Sequence, residues 1–326
     1  MVRRLALTML LALGAYLALG EPMRAQDKYP SRPIKIIVPT PAGGPVDVVA
    51  RLVAQYLSTV IGQSAVVENR PGAGNTIGSR EAARADPDGY TLYYSSVSGL
   101  VLAPMLQQNA GYVATDFAPI AAIATSSIVL VVNPAFPARS VKELVDYAKA
   151  NPGKVNFSSG GIGVLPHLIG ELFKSRAAID IVHVPYKGGG PSIQDVVAGN
   201  IHMTFEGTSV LLPLIEAGRL RALAVTSAQR NAALPEVPTM IESGFPGLAT
   251  SSWTGLLGPA ALPAPIVEKL NAAINAGLKS SPELKDGLGK LRAETLGGTP
   301  QDFANLIKTE VARWEPIVKG LNLKLD

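Results

Sequence analysis

One pattern repeats along most of this chain: a short run rich in β-branched residues, a loop rich in Gly, Pro or Ser, and then a segment with helical spacing of its apolar residues. Residues 34–38 form such a run, 41–44 form the loop, and 45–57 show the helical spacing. The same order returns across residues 155–173. Strands that alternate with helices predict an α/β fold, with parallel sheets covered on both faces.

The other elements follow from the same reading. Further strands are predicted at 66–68, 90–94, 128–132, 181–184, 201–205, 220–225 and 253–257. Further helices are predicted at 77–85, 141–150, 192–198, 210–216 and 265–278, and from 300 to about 319. Parallel sheets bind ligands beyond the carboxyl ends of their strands. We therefore expect function in the loops that follow Val38, Tyr94, Phe157, Val184 and Phe205.

Residues 1–25 have the layout of a secretory signal peptide. Arg3 and Arg4 make a basic start, and residues 5–19 are almost entirely apolar. That run is short for a membrane-spanning helix. Cleavage after Gly20 and cleavage after Ala25 both remain open. We expect a protein exported to the periplasm with its leader removed, and the alternative is a leader kept as a membrane anchor.

Composition excludes several classes of function. The chain has no cysteine, which rules out disulfides, a thiolate metal site, a cysteine nucleophile and a lipid-bearing cysteine. Its formal net charge is +4 with no cluster of Lys and Arg, so nucleic-acid binding is not indicated. The chain has three histidines, His167, His183 and His202; neither His183 nor His202 has a second histidine or a carboxylate at the spacing of metal ligands, so structural roles are favoured for both. No nucleophile–base motif is present, so we expect a binding protein without catalytic residues, metal or cofactor.

The loop at 39–47 joins a strand to the start of a helix. Glycines let the backbone turn its N–H groups outward, and the helix end adds partial positive charge, so the loop suits an anion. A tight strand-to-helix turn explains the same glycines equally well. For the aspartate, capping of the first helical turn is favoured over ligand contact. The candidate ligand-binding residues are Thr40, Ala42, Gly43, Gly44 and Asp47.

A second loop, at 158–163, also combines glycines with a helix start, and its serines add hydroxyl groups as possible donors. Two helix starts that favour anions, one in each half of the chain, suggest a ligand held from both sides. For the neighbouring His167, helix capping is favoured over catalysis. For residues 187–191, a solvated turn is favoured over a phosphate-binding loop. The further candidates are Ser95, Ser96, Ser158, Ser159, Gly160, Gly161, Gly163 and His167.

Nine ordered segments give the chain a family resemblance. They are YPSRPIKIIVP at 29–39, PAGGPVD at 41–47, VENRPGAGN at 67–75, PDGYTL at 87–92, PHLIGELFK at 166–174, VHVPYKG at 182–188, GRLRALAVTS at 218–227, LPEVPT at 234–239 and GGTP at 297–300. From residue 29 to the C-terminus the chain resembles the substrate-binding receptors of tripartite tricarboxylate transporters, the Bug or TctC family.

The resemblance implies a type II periplasmic-binding-protein fold, with two α/β lobes, a ligand cleft and two crossover segments near 124–131 and 223–227. Lobe one then comprises 26–125 plus 227–326, and lobe two comprises 126–226. It also implies a monomeric solute-binding protein that captures a small carboxylate by hinge closure. Its partner would be a membrane permease of the tripartite tricarboxylate type. The alternatives are a co-receptor for a membrane sensor kinase and a secreted enzyme.

In the family, the loop matching 41–47 holds a ligand carboxylate, and the loop at 158–163 and residue 206 face it across the cleft. Three residues depart from the family pattern. Thr40 replaces an aromatic residue, Val46 replaces a common Thr, and Glu206 replaces a common Asp. These departures favour an aromatic or dicarboxylic acid over citrate.

Overall fold

The computed structural model describes residues 29–321 and 323, so the predicted signal peptide lies outside the described residues. The strands are β1 Ile34–Val38, β2 Ala65–Asn69, β3 Thr91–Ser96, β4 Phe117–Val132, β5 Val155–Ser159, β6 Ile181–Pro185, β7 Met203–Gly207, β8 Arg221–Val225, β9 Ser251–Pro259 and β10 Glu294–Thr295. The predicted strands are thereby confirmed, with ends that shift by at most two residues, apart from β4, which is much longer than its prediction.

The α-helices are α1 Pro45–Val60, α2 Thr76–Ala83, α3 Ala103–Leu106, α4 Val141–Ala150, α5 Leu165–Ala177, α6 Gly189–Ala198, α7 Thr208–Glu216, α8 Ala264–Ser280, α9 Pro282–Lys290 and α10 Pro300–Leu321. A π-helical turn at Ser98–Leu102 precedes α3. Within the described part of the chain, no helix combines the length and apolarity that a membrane crossing requires.

The strands form a mixed sheet in the order β2-β1-β3-β9-β4-β7-β5-β6, with β8 and β10 also paired to β4. Pairing is parallel within β2-β1-β3 and within β6-β5-β7. The pairs of β9 with β3 and β4, and those of β4 with β7, β8 and β10, are antiparallel. The expectation of purely parallel sheets is therefore wrong at the centre, because β4 and β9 link the two halves and belong to no strand–helix–strand unit.

Strand β4 is the first passage between the two halves. Its residues up to Ser127 pair with β9, and from Ile128 onward they pair with β7 and β8. The sequence prediction found only 128–132, because the preceding residues are rich in Ala and Ser, which have low β-propensity. The passage lies inside the predicted crossover at 124–131, and the lobe boundaries themselves stay a prediction.

The second passage is held by two buried threonines. The N–H of Thr226 donates to the carbonyl of Ile128 at 2.8 Å, and its Oγ1 donates to the carbonyl of Thr250 at 2.7 Å. The N–H of Thr250 returns a hydrogen bond to the carbonyl of Thr226, also at 2.7 Å. Both passages therefore meet at one point of the sheet, where Thr226 is fully buried.

Alternate residues of β4 enter two separate cores. Leu130 and Val132 pack in one cluster, and Val129 and Val131 pack in the other. All four side chains are fully buried. Such burial on both faces is typical of a sheet covered by helices on each side, and it confirms the predicted layering.

Three helices differ from the sequence prediction, and the short helix α3 is one that was not predicted. Helix α6 begins at Gly189, so part of the loop expected at 187–191 forms its first turn. Helix α9 was not predicted, because Gly287 and Gly289 lower its helix propensity. It forms nevertheless, since Ser281 caps its start and two leucines are buried on one face.

Candidate functional site

The loop after β1 is shaped by its own aspartate. Gly43 has a φ of +81°, which glycine adopts readily, and its N–H donates to Oδ2 of Asp47 at 2.8 Å. Asp47 is only 1% exposed, although it lies in the first turn of α1. The aspartate therefore fixes the turn that leads into α1, through the N–H of Gly43 ahead of the helix and not through an N–H of the first helical turn.

Two further side chains complete this arrangement. Asn69, at the end of β2, donates to Oδ1 of Asp47 at 2.8 Å and to the carbonyl of Thr40 at 3.0 Å. Arg51 Nε donates to Oδ2 of Asp47 at 3.0 Å, and its Nη2 donates to Oδ1 of Asn69 at 2.8 Å. Burial alone would raise the pKa of Asp47, but the hydrogen bonds from Arg51, Gly43 and Asn69 hold it below its ordinary value. The carboxylate is therefore ionised, and its hydrogen bonds hold the loop in place.

The backbone N–H groups at the start of α1 are the hydrogen-bond donors that remain for a ligand. The first N–H groups of a helix have no acceptor within the helix, and Pro45 carries none. Ala42 and Gly43 are exposed and Gly44 is half-buried, so the backbone of this loop is accessible. The hydroxyl of Thr40 is covered and has no hydrogen-bond partner among the described residues. An anion at this loop would therefore meet backbone N–H groups.

The loop after β5 repeats this geometry in the other half. Gly163 has a φ of +84°, and its N–H donates to Nδ1 of His167 at 3.1 Å. Because Nδ1 accepts this bond, the imidazole is neutral with its proton on Nε2. The His167 ring stacks on His183 with centroids 4.0 Å apart. Burial lowers the pKa of His167 to about 4, so it stays neutral.

The two serines expected to begin this loop are instead the last residues of β5. Ser158 Oγ accepts from Ser192 Oγ at 2.8 Å. Ser159 Oγ donates to the carbonyl of Gly161 at 2.7 Å and lies 2.8 Å from Nε2 of His183. Both serines are fully buried. Burial, together with the neighbouring imidazole, lowers the pKa of His183 to about 3. The hydroxyls therefore support the loop, and its accessible donors are backbone N–H groups.

The loop after β3 joins the other two. Ser95 and Ser96 are the last residues of β3 and are buried. Ser98 Oγ accepts a hydrogen bond from the N–H of Leu165, the first residue of α5, at 3.2 Å. A Cβ atom built on Gly99 would lie 3.3 Å from Cγ of Pro39. The loops after β1, β3 and β5 are thereby neighbours, and Ser98 is the polar link between the two halves of the sheet at this point.

Glu206 lies at the end of β7 among glycines. Its Oε1 is 3.2 Å from the position that a Cβ on Gly189 would take, and a Cβ on Gly160 would lie 2.8 Å from the N atom of Gly189. Within the described residues, no Lys or Arg forms an ion pair with Glu206. Burial raises its pKa to about 7, although the N–H of Gly207 donates to Oε2 at 3.3 Å. The half-buried carboxyl is therefore poised to change charge near neutral pH.

The remaining histidine has a structural role. His202 lies just before β7, where its Nδ1 accepts from the N–H of Asn156 at 3.2 Å. Across residues 29–321 and 323, no group of three or more His, Asp or Glu side chains is placed to hold a metal ion.

Sequence reasoning did not single out Asn69 or Arg51. A signal was available for Asn69, since it ends the strand next to β1 at the same edge of the sheet, and that edge is where ligand loops gather. Ile162 was also overlooked. It is 46% exposed and stands between two candidate glycines of the loop after β5.

A family model supplies the identification. The model described as "Tripartite tricarboxylate transporter family receptor", TctC, matches residues 49–323. The chain belongs to the TctC family. Protein BugT of Bordetella pertussis is 37% identical over 328 residues, which cover 98% of this chain and 99% of that protein.

Several solved structures resemble this chain over about nine-tenths of its length. A structure described as a periplasmic transporter has 41% identity and a TM-score of 0.84, and the match covers 91% of this chain and all of that one. A protein of R. palustris with adipate has 36% identity and a TM-score of 0.83, covering 91% and 99%. MatC from Rhodopseudomonas palustris, with bound malate, has 31% identity and a TM-score of 0.81, covering 89% and 100%.

These matches confirm the type II periplasmic-binding-protein fold and the family resemblance. Proteins of the TctC family are periplasmic binding proteins and not enzymes, which removes the secreted-enzyme alternative.

Proposed function

We propose that this TctC-family protein captures a small dicarboxylate in the periplasm and delivers it to a membrane permease of the tripartite tricarboxylate type. One observation carries the proposal. Each half of the sheet presents a glycine loop at a helix start, and the hydrogen bond from Leu165 N–H to Ser98 Oγ places the two halves together at these loops.

Two helix starts suit a ligand with two carboxylates. A helix N-terminus attracts an anion because its first N–H groups are unpaired and its dipole is positive there. A buried carboxylate is tolerated only when several donors reach its oxygens. Adipate and malate, which accompany two of the similar structures, are both dicarboxylates. A dicarboxylate places one charged group near each helix start.

The apolar side chains near these loops favour a ligand with few hydroxyl groups. Val46, in the first turn of α1, offers no hydrogen bond. Ile162 exposes a large apolar surface beside the second loop. A chain of methylene groups buries such a surface favourably, whereas a hydroxyl group would lose its hydration without a replacement. These residues support an aliphatic dicarboxylate without a hydroxyl group over hydroxy acids such as malate and citrate, with an aromatic acid as the second ligand class.

Binding would proceed through hinge closure. The two passages that meet at Thr226 are the connections about which the lobes turn in the proposed mechanism. A ligand that contacts both loops stabilises the closed form, because only that form makes both sets of contacts.

Titration calorimetry on the mature protein tests the ligand class. Adipate, succinate, malate, benzoate and citrate would be compared at one pH. We expect a dicarboxylate to bind most tightly and to add about 2.7 kcal/mol of stability at a hundredfold excess over its Kd. Tight binding of citrate with no binding of the dicarboxylates would overturn the ligand assignment.

The partner requires a test in cells. We expect a strain that lacks this protein to lose uptake of the labelled acid that calorimetry identifies, and to regain it with the wild-type gene. Normal uptake with a lost transcriptional response to the acid would instead support the sensor-kinase alternative.

Mass spectrometry of protein from the periplasmic fraction would also show whether the chain begins at residue 21 or 26, and an intact leader would contradict the predicted export.

A further inference from the structure

Glu206 lies at the edge of the sheet that carries the proposed carboxylate site. Strands β5, β6 and β7 run parallel, so the residues that end β7 and those that follow β5 lie at one edge. The strand order places β7 next to β5, whose loop is part of the proposed site. Glu206 is the last residue but one of β7 and is half-buried. Its side chain therefore belongs to the ligand side of this half of the sheet.

Two glycines connect the Glu206 carboxyl to the loop after β5. A Cβ atom built on Gly189 would lie 3.2 Å from Oε1 and 3.9 Å from Oε2 of Glu206. A Cβ atom built on Gly160 would lie 2.8 Å from the N atom of Gly189. The N–H of Gly188 also donates to the carbonyl of Gly160 at 3.0 Å. A row of backbone contacts therefore joins the carboxyl to the candidate ligand loop.

The charge of Glu206 is not balanced by a basic side chain in the described part of the chain. Across residues 29–321 and 323, no Lys or Arg forms an ion pair with it, and the N–H of Gly207 donates to Oε2 at 3.3 Å. Gly189 offers no side chain that could screen the carboxyl. A half-buried charge acts more strongly on a second charge than one in water does, because the effective dielectric constant is lower. An ionised Glu206 therefore repels a further negative group that approaches these glycines.

We propose that Glu206 limits the ligand to two carboxylates, because its own carboxylate occupies the place that a third would take. This inference rests on the proposed function and names the residue that sets the substrate class. Helix α6 begins at Gly189 with no capping side chain and no acidic residue in its first turn. The carboxyl of Glu206 lies beside that turn, so a third ligand carboxylate there would meet negative charge.

Glutarate and tricarballylate test the number of carboxylates directly. Tricarballylate is glutarate with a third carboxyl on its central carbon, and neither acid has a hydroxyl group. Both acids would be titrated by calorimetry at pH 8, where Glu206 is ionised because its pKa is about 7. Repulsion between two carboxylates a few ångströms apart should make wild type bind glutarate about a hundredfold more tightly than tricarballylate.

Three variants separate the effect of charge from that of structure. Glu206→Gln keeps the shape and removes the charge, so the preference for glutarate should fall by about tenfold or more. Glu206→Asp keeps the charge and should keep most of the preference. Glu216→Gln changes an exposed glutamate at the end of α7, the helix after β7, and should leave both affinities unchanged. The melting temperature of each variant shows that it is folded.

The outcomes for Glu206 and for the proposed function are distinct. An equal preference in wild type and Glu206→Gln, equal binding of both acids by wild type, or a preference lost as fully in Glu206→Asp as in Glu206→Gln would each overturn the role of Glu206. With glutarate bound by wild type, these results leave the proposed function intact. If wild type binds no dicarboxylate, the proposed function fails and this inference fails with it.

Discussion

The N–H of Gly163 donates to Nδ1 of His167, four positions further along the chain, at 3.1 Å. Gly43 and Asp47 form the same link in the other half of the sheet, at 2.8 Å. One loop is closed by a neutral imidazole in a stack, and the other by an ionised carboxylate with an arginine partner. The two loops share a shape but differ in charge, so pH and mutation should affect them differently.

Asp47→Ala should destabilise the protein by about 2–4 kcal/mol, because it leaves Gly43, Asn69 and Arg51 without their acceptor. Urea unfolding at pH 7 measures the loss. Asp47→Asn is the matched control and should lose less, since its amide oxygen still accepts. The lowered pKa of Asp47 also sets the direction in which stability changes with pH. Its stabilisation is present above the ordinary value of 3.8 and is lost as the pH falls through the folded-state pKa. Equal stability of Asp47→Ala and wild type would contradict this role.

Glu206→Gln should stabilise the ligand-free protein at alkaline pH. Burial raises the pKa of Glu206 from 4.5 to about 7, so its contribution is full below pH 4.5 and is lost as the pH rises to about 7. The variant avoids this loss and should gain on the order of 2–3 kcal/mol over wild type at pH 8. Urea unfolding of both proteins at pH 5 and pH 8 measures the difference. Parallel pH profiles would show that the carboxyl is not desolvated.

Dicarboxylate affinity should also depend on Glu206. A protonated Glu206 can donate to a ligand carboxylate, whereas an ionised one repels it. We expect the Kd for adipate to rise by up to about tenfold per pH unit above pH 7, and to stay nearly constant in Glu206→Gln. Calorimetry at pH 6, 7 and 8 with both proteins provides the comparison. If adipate binds the wild type more tightly at pH 8 than at pH 6, the carboxyl does not face the ligand.

Gly160→Ala should displace the start of α6. The added Cβ would lie 2.8 Å from the N atom of Gly189 and 3.0 Å from the carbonyl carbon of Gly188, and backbone atoms cannot turn aside. We expect a loss of about 1–3 kcal/mol, with weaker dicarboxylate binding. Gly190→Ala is the control, because a Cβ there meets nothing within 4 Å. Thermal unfolding and calorimetry on both variants test the contrast, and equal behaviour would contradict it.

Ser98→Ala should weaken ligand binding without unfolding the protein. It removes the acceptor for the N–H of Leu165, a contact that joins the two halves at the proposed site. Loss of one such hydrogen bond should raise the Kd by about two- to tenfold. Calorimetry gives the Kd, and the melting temperature of the ligand-free protein should change little. An unchanged Kd with a large fall in melting temperature would make this contact purely structural.

Local sequence determined much of the secondary structure. Helix α4 lies at its predicted bounds, since Ser140 Oγ accepts from the N–H of Glu143 at 3.1 Å and so caps it. The glycine loops before α1 and α5 were also predicted. These features depend on residues within four or five positions of one another. Propensity and periodicity therefore suffice to place them.

Tertiary structure decided the remaining features. The sequence does not show that Asn69 reaches Asp47, that Leu165 bonds Ser98, or that β4 continues from one half of the sheet into the other. The raised pKa of Glu206 depends on glycines from other elements that pack beside it. Each of these relationships joins residues far apart in the chain. Local pattern predicts which segments become strands and helices, whereas the order and direction in which strands pair set the neighbours of each side chain.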